Sequence, residues 1–330
     1  MRVSLKNFVV PSIPLAVFLV GSCFMIWMSS YIGTRYTTDT TFNTSIVKSM
    51  QSIFSPDSLL SNLICFAITL LNAFLVAQIN NRFTIIRTRT FLPILIFLLL
   101  ICTWNQTHMM IGSYFGLTLF IFSLFYFFTM SRDRKASEQA FMGSFLISVS
   151  SILINPLIFI IPVCWIGFMM FQSLSLKTFL ASIFGTITPW ILYASVMYLI
   201  HPDFDFSTLI NIYYSINLSL STFSHAEIIY TVTMGIILII SLIGMYSISN
   251  SDAIKTRNKL NFLLFLFVSL IILSFVFRNQ IKSFLPIIAL VYALLISHPL
   301  TLKQNNFYGI LFIIFFLINI AFVISKYFIF

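Results

Sequence analysis

The chain of 330 residues is 59% hydrophobic and only 8% charged, with a mean hydropathy of +1.03. A soluble domain carries roughly 25% charged residues, and none hides this much apolar surface, so lipid is the solvent for most of the chain. The net charge of +10 does not signal nucleic acid, because the 18 Lys and Arg fall in short segments between apolar runs and build no basic stripe.

A helix needs about 20 apolar residues to cross a bilayer. Apolar runs lie near 8–29, 58–79, 91–105, 111–130, 140–154, 156–172, 179–200, 227–248, 261–277, 284–298 and 307–325. They predict an all-α, polytopic transmembrane bundle of about eleven spans, forming one integral membrane domain over 1–330. The first run follows Arg2 and Lys6 as a signal peptide would, yet it is long enough to span and more spans follow, so it is expected to stay as a first helix. Two hairpins, 91–130 and 140–172, are long for one crossing and short for two. "WNQTHMM" divides the first, and Asn155 with Pro156 divides the second. Such interruptions are tolerated where protein or a wet cavity covers the freed backbone groups. Cys23, Cys65, Cys102 and Cys164 all lie in apolar runs without C-x-x-C spacing and read as small buried hydrophobes.

Lys and Arg set the topology. Arg82, Arg87 and Arg89, then Arg132, Arg134 and Lys135, then Lys177, then Lys255, Arg257 and Lys259 occupy four segments separated by even numbers of crossings. With Arg2, Lys6 and Lys303 that side holds 13 basic residues against 5 opposite. The positive-inside rule puts it, and the N-terminus, in the cytoplasm and the C-terminus outside. Asp133, Glu138 and Asp252 are then internal, interleaved with basic partners. Asp39, Asp57, Asp203, Asp205 and Glu227 are external. Two long external loops remain, 30–58 and 201–226. In the first, Phe42, Ile46, Val47, Met50, Ile53 and Phe54 share one helical face, the pattern of a helix lying on the membrane surface; the second loop shows a weaker version.

No Walker loop, dinucleotide fingerprint, HExxH, GxSxG or Cys/His metal spacing occurs. Ionisable residues deep in the spans are nearly absent, which weighs against coupled ion transport. Asp39 has two open readings: a general base or ligand for a divalent cation, or a loop carboxylate paired with Arg35 four residues earlier. Asp57 or Ser58 is placed to cap the second helix, and His225 with Glu227 to open the eighth. His201, Asp203 and Asp205 are either weak metal ligands or a polar turn after Pro202. His108 and His298 sit at span ends with no role assigned. Arg278 and Lys282, four apart beside a span expected to start at proline, either hold a lipid-linked phosphate or anionic headgroups, or simply anchor the helix at the interface.

Three stretches carry a resemblance in their order of spans, basic turns and proline-marked segments: "LICFAITLLNAFLVAQINNRFTIIRTRTFLPILIFLLLIC", "KASEQAFMGSFLISVSSILINPLIFIIPVCWIGFMMFQSLSLKTFLASIFGTITPWIL" and "RNQIKSFLPIIAL". They resemble the GT-C class of membrane glycosyltransferases, which take sugars from polyprenyl phosphate carriers at the outer face. A closer likeness is to uncharacterised multipass inner-membrane proteins of Gram-negative bacteria. The class keeps one or two acidic residues in its first external loop, where this chain has Asp39. The resemblance implies a bacterial inner-membrane transferase with Asp39 as base or metal ligand, Arg35 as its local partner, and Arg278 with Lys282 as the carrier-phosphate clamp. A non-catalytic envelope scaffold on the same frame, or a flippase for lipid-linked material, are the alternatives. The partners expected on any of these readings are membrane lipids and, for the enzyme, a polyprenyl-phosphate-linked sugar.

Overall fold

The computed structural model describes residues 13–33, 58–108, 110–131, 133, 135–200, 224–303 and 305–328. Among them the regular structure is all helix. In chain order the α-helices are α1 Ile13–Gly33, α2 Leu59–Phe83, α3 Leu92–Thr103, α4 Ile111–Thr129, α5 Ser137–Leu153, α6 Ile161–Met170, α7 Leu176–Ile200, α8 His225–Ile248, α9 Ile254–Val276, α10 Ile281–Leu302 and α11 Asn306–Phe328. Each apolar run is thus a helix, but eight of the described helices are long and apolar enough to cross a membrane, and α3, α5 and α6 are shorter. The physical reason is the two interruptions. A 3-10 turn at Asn105–Thr107 divides the first hairpin, and another at Asn155–Ile160, with Pro156 in it, divides the second.

Several boundaries move. α1 runs on to Gly33, four residues into the segment expected to be loop. α9 begins at Ile254, seven residues before its apolar run, because its polar first turns cap other helices. Asn258 Nδ2 donates to Met170 O (2.7 Å) at the end of α6, and Lys259 Nζ donates to Phe83 O (3.1 Å) at the end of α2. Free carbonyls at a helix C-terminus favour such donors, cations above all. Ser58 caps α2 by accepting from Ser61 N, and Ser224 with Glu227 forms a capping box on α8. Asp57 and both surface-helix predictions lie outside the described residues.

α3 has twelve residues, roughly 18 Å at 1.5 Å per residue, against a hydrocarbon core of about 30 Å. The stretch before it is non-helical and partly covered by protein. Ile85 and Ile86 are buried, Thr84 takes a left-handed φ of 48°, and Ile86 N donates to Asn80 Oδ1. The second hairpin stops short at the other end. Trp190 Nε1 donates to Ser151 Oγ near the end of α5, and α7 continues ten residues past Trp190, roughly 15 Å, to Ile200.

α10 is the central helix: 83% of its apolar window is buried, against 22% for α1 and for α7, and it packs on α3, α4, α8, α9 and α11. The outward faces of α1 and α7 are apolar, as lipid contact requires. Buried cysteines at 23, 65, 102 and 164 are free thiols in this packing.

α4, α5 and α7 form the closest-packed layer, and glycines allow it. A Cβ on Gly185 would strike the Phe141 carbonyl oxygen, which is backbone and cannot step aside. Gly185→Ala is therefore expected to lower stability by about 1–3 kcal/mol, whereas Gly235, with nothing within 4 Å of its added Cβ, should tolerate alanine. Thermal unfolding of the two variants in detergent checks this; equal behaviour would mean that α5 and α7 are not in such close contact.

Candidate functional site

The helix directions gather two ends. At one, the basic end, lie Arg82, Arg87, Arg89, Lys135, Lys177, Lys255, Arg257, Lys259 and Lys303, close to the ends of α2, α6 and α10 and the starts of α5, α7 and α9. At the other lie the end of α1, the starts of α2 and α8, the 104–110 and 154–160 interruptions, and Arg278 with Lys282.

At that opposite end a cavity of about 110 Å³ sits between α3, α8 and α10. Leu100, Ile101 and Trp104 line one wall, Tyr230 and Met234 a second, and Leu285, Pro286, Ile288, Ala289 and Tyr292 the third. Its surface is almost wholly hydrocarbon and aromatic. Its volume is somewhat below the ~150 Å³ of an apolar cavity that takes up benzene, so it has room for a short branched hydrocarbon unit. Hydrogen bonds hold the walls in register. The Tyr230 hydroxyl donates to Asn319 Oδ1 (2.9 Å) and lies 3.3 Å from Thr103 Oγ1, while the Tyr292 hydroxyl donates to Met234 O (2.9 Å). Phe322 stacks on Tyr230 with centroids 4.0 Å apart. Tyrosine suits this place because its ring faces hydrocarbon while its hydroxyl finds a polar partner.

Lys282 stands three residues before Leu285 and four before Pro286, so it occupies the same face of α10 one turn outward from the cavity. Arg278 does not share that helix. It lies in a 3-10 turn, Arg278–Gln280, which precedes α10, so the expected four-residue helical pair is a turn cation followed by a helix cation. Both are half-buried. The helix also begins at Ile281 and not at its proline; Pro286 sits inside it. Asp39, Arg35, His201, Asp203 and Asp205 lie outside the described residues. Glu227, the one carboxylate of the opposite end that is described, is engaged in the α8 capping box. Among the described residues no three His, Cys, Asp or Glu side chains gather as metal ligands.

Beside the cavity the 104–110 interruption is fastened to α1 and α2. Trp27 Nε1 donates to Asn62 Oδ1 (2.6 Å), and the Trp27 ring stacks on His108 at 3.8 Å and 13°. His108 Nδ1 lies 2.8 Å from Ser30 Oγ, and its Nε2 lies 3.1 Å from Ile101 O. A carbonyl only accepts, so Nε2 carries a proton in this arrangement. His108 is fully buried, and its structural part could not be read from the chain, because its partners are 7 to 81 positions away.

The basic end holds a second enclosed group. Arg87 Nε and Nη2 donate to Asp252 Oδ1 at 2.8 and 2.5 Å, so the basic partner of Asp252 comes from another segment and not from the Lys and Arg interleaved with it in the sequence. His298 Nε2 lies 3.2 Å from Asp252 Oδ2. The sequence left His298 without a role, since nothing in its neighbourhood along the chain announces Arg87 or Asp252.

The family model for DUF6427, a family of unknown function, matches residues 43–328, and the chain belongs to that family. No curated protein and no solved structure matches it.

Proposed function

We propose that this DUF6427 chain binds a polyprenyl-phosphate-linked sugar at the end opposite its basic one and passes the sugar to an acceptor, as the GT-C resemblance implies. The observation that carries the reading is the apolar cavity between α3, α8 and α10 with Lys282 one turn outward from it. A hydrocarbon chain gains roughly 0.8 kcal/mol for each methylene it buries out of water, but little by leaving lipid, so the cation supplies the preference for a phosphate-headed chain. In transfer, the bond from the sugar's anomeric carbon to the carrier phosphate breaks and a bond to the acceptor oxygen forms. Lys282 and Arg278 offset the charge gathering on the departing phosphate, and Asp39 accepts the acceptor's proton. The described residues offer no ligand set for a divalent ion.

On this reading α3, α5 and α6 complete crossings with the help of the covered non-helical segments beside them, giving about eleven spans, and the basic end faces the cytoplasm of a bacterial inner membrane. A scaffold reading has one observation in its favour: Glu227, the described carboxylate at the opposite end, is already spent on capping.

Photo-crosslinking of the purified chain with a diazirine polyprenyl phosphate tests the proposal. Lys282→Ala with Arg278→Ala should weaken capture about tenfold or more, the worth of one charge-assisted hydrogen bond. Ala289→Phe, which fills the cavity, should abolish it. Undiminished capture in both variants would remove the carrier site, and capture without any sugar transfer would leave the scaffold reading in its place.

A further inference from the structure

The Arg87, Asp252 and His298 group lies at the other end of α10 from the cavity and has no part in the reading above. The Asp252 and His298 side chains are 0% exposed, while Arg87 is 44% exposed and reaches the surface of the basic end. Asp252 Oδ1 is fully engaged by the guanidinium. Asp252 Oδ2 and both ring nitrogens of His298 make no hydrogen bond, although Oδ2 and Nε2 are only 3.2 Å apart. Three buried polar atoms without partners in one place require an explanation.

Counting protons supplies one. The other cations nearby are occupied: Lys259 of α9 donates to Phe83 O, and Lys303 at the end of α10 to the Tyr308 hydroxyl. Arg87 and Asp252 cancel, so the cluster is neutral only if His298 is neutral. With its one proton on Nε2, the ring needs a small rotation to donate to Oδ2, and the orphan that remains, Nδ1, is a bare acceptor. A second proton, on Nδ1, places a net positive charge in an enclosed space with no acceptor for that N–H. Such a charge is costly to bury, and leaving for water relieves it. The backbone is ready to yield at that point. Pro299 follows His298 directly and has no N–H to donate to the Leu295 carbonyl, so one rung of the helix ladder is missing beside His298.

We propose that Arg87, Asp252 and His298 form a proton-operated latch on the basic end of α10, closed when His298 is neutral and released when its ring takes a second proton. The released segment is the last turn of α10, the helix whose first half walls the cavity.

Spin labels at Lys135→Cys and Leu302→Cys in the full chain, reconstituted in nanodiscs, read the latch as a distance. The native background should give one distance at about pH 7.5 and a second, longer component at about pH 5, the interval in which histidine changes charge. His298→Gln keeps an amide donor for Oδ2 and cannot take up a proton, so it should give the single distance at both. Arg87→Gln leaves Asp252 to balance an imidazolium, and the longer component should disappear at pH near 5. An unchanged distance in the native background, or the same acid response in His298→Gln, would overturn the latch.

Discussion

Trp27→Ala is expected to lower stability by about 3–5 kcal/mol, the range for emptying a large aromatic site in a packed core. Trp27 is fully buried and joins three pieces at once. Its ring stacks on His108 of the 104–110 interruption, meets Phe66 of α2 with centroids 5.5 Å apart, and its N–H is bound by Asn62. Alanine removes the stacking partner and leaves the Asn62 carbonyl oxygen with no donor, so the loss exceeds that of the ring alone. Trp27→Phe should keep the packing and lose chiefly the hydrogen bond, at about 1–3 kcal/mol. Unfolding by heat or denaturant in detergent gives both values. A loss below about 1 kcal/mol for alanine would mean that the interruption is held by something other than α1.

Asp39→Asn is expected to reduce complementation of a deletion strain by about two orders of magnitude or more, within the range that general-base catalysis supplies. Asparagine keeps the size of the side chain and removes the charge that either a base or a metal ligand needs. The amount of protein in the membrane should stay near normal, because the substitution alters charge and not the size of the side chain. Asp57→Asn is the control, the same loss of one carboxylate at an acidic residue to which the proposal gives no role. Full rescue by Asp39→Asn would end the transferase reading and favour a non-catalytic envelope role; that outcome is independent of whether the carrier is captured at Lys282.

Much of the architecture was legible because its cause is local. A run of twenty apolar residues meets lipid and must satisfy its own backbone, so it becomes a helix wherever it lies in the chain. That is why each of the eleven apolar runs is a helix in the structure, and why "WNQTHMM" and Asn155 with Pro156 mark its two interruptions. The start of α8 was legible for the same reason: Glu227 takes part in its cap as expected, although the N-cap is Ser224 and not His225. Crossing length was less so. The expected eleven spans rest on counting hydrophobic residues, whereas eight of the described helices are long and apolar enough to cross and α3, α5 and α6 are shorter.

The expected pairing of Arg278 with Lys282 shows where pattern alone misleads. Four-residue spacing implies a shared helix face, but α10 starts at Ile281, so the 3-10 turn takes Arg278 out of it while Lys282 stays on the helix one turn outward from the cavity. The cavity itself has no signal in the chain. Its walls come from residues 100–107, 230–234 and 285–292, each an unremarkable stretch of a greasy helix.

By itself, then, the sequence determined that the chain is a helical membrane protein, where its helices run, and which of its ends is basic, because hydropathy and charge act on each segment separately. Only the tertiary structure decided that Lys259 caps α2, that Trp27 lies on His108, and that Arg87, Asp252 and His298 meet. Those contacts join residues between 46 and 176 positions apart. They follow from how eleven similar apolar helices choose neighbours, and in lipid that choice rests on shape and a few buried polar groups that no local pattern reveals.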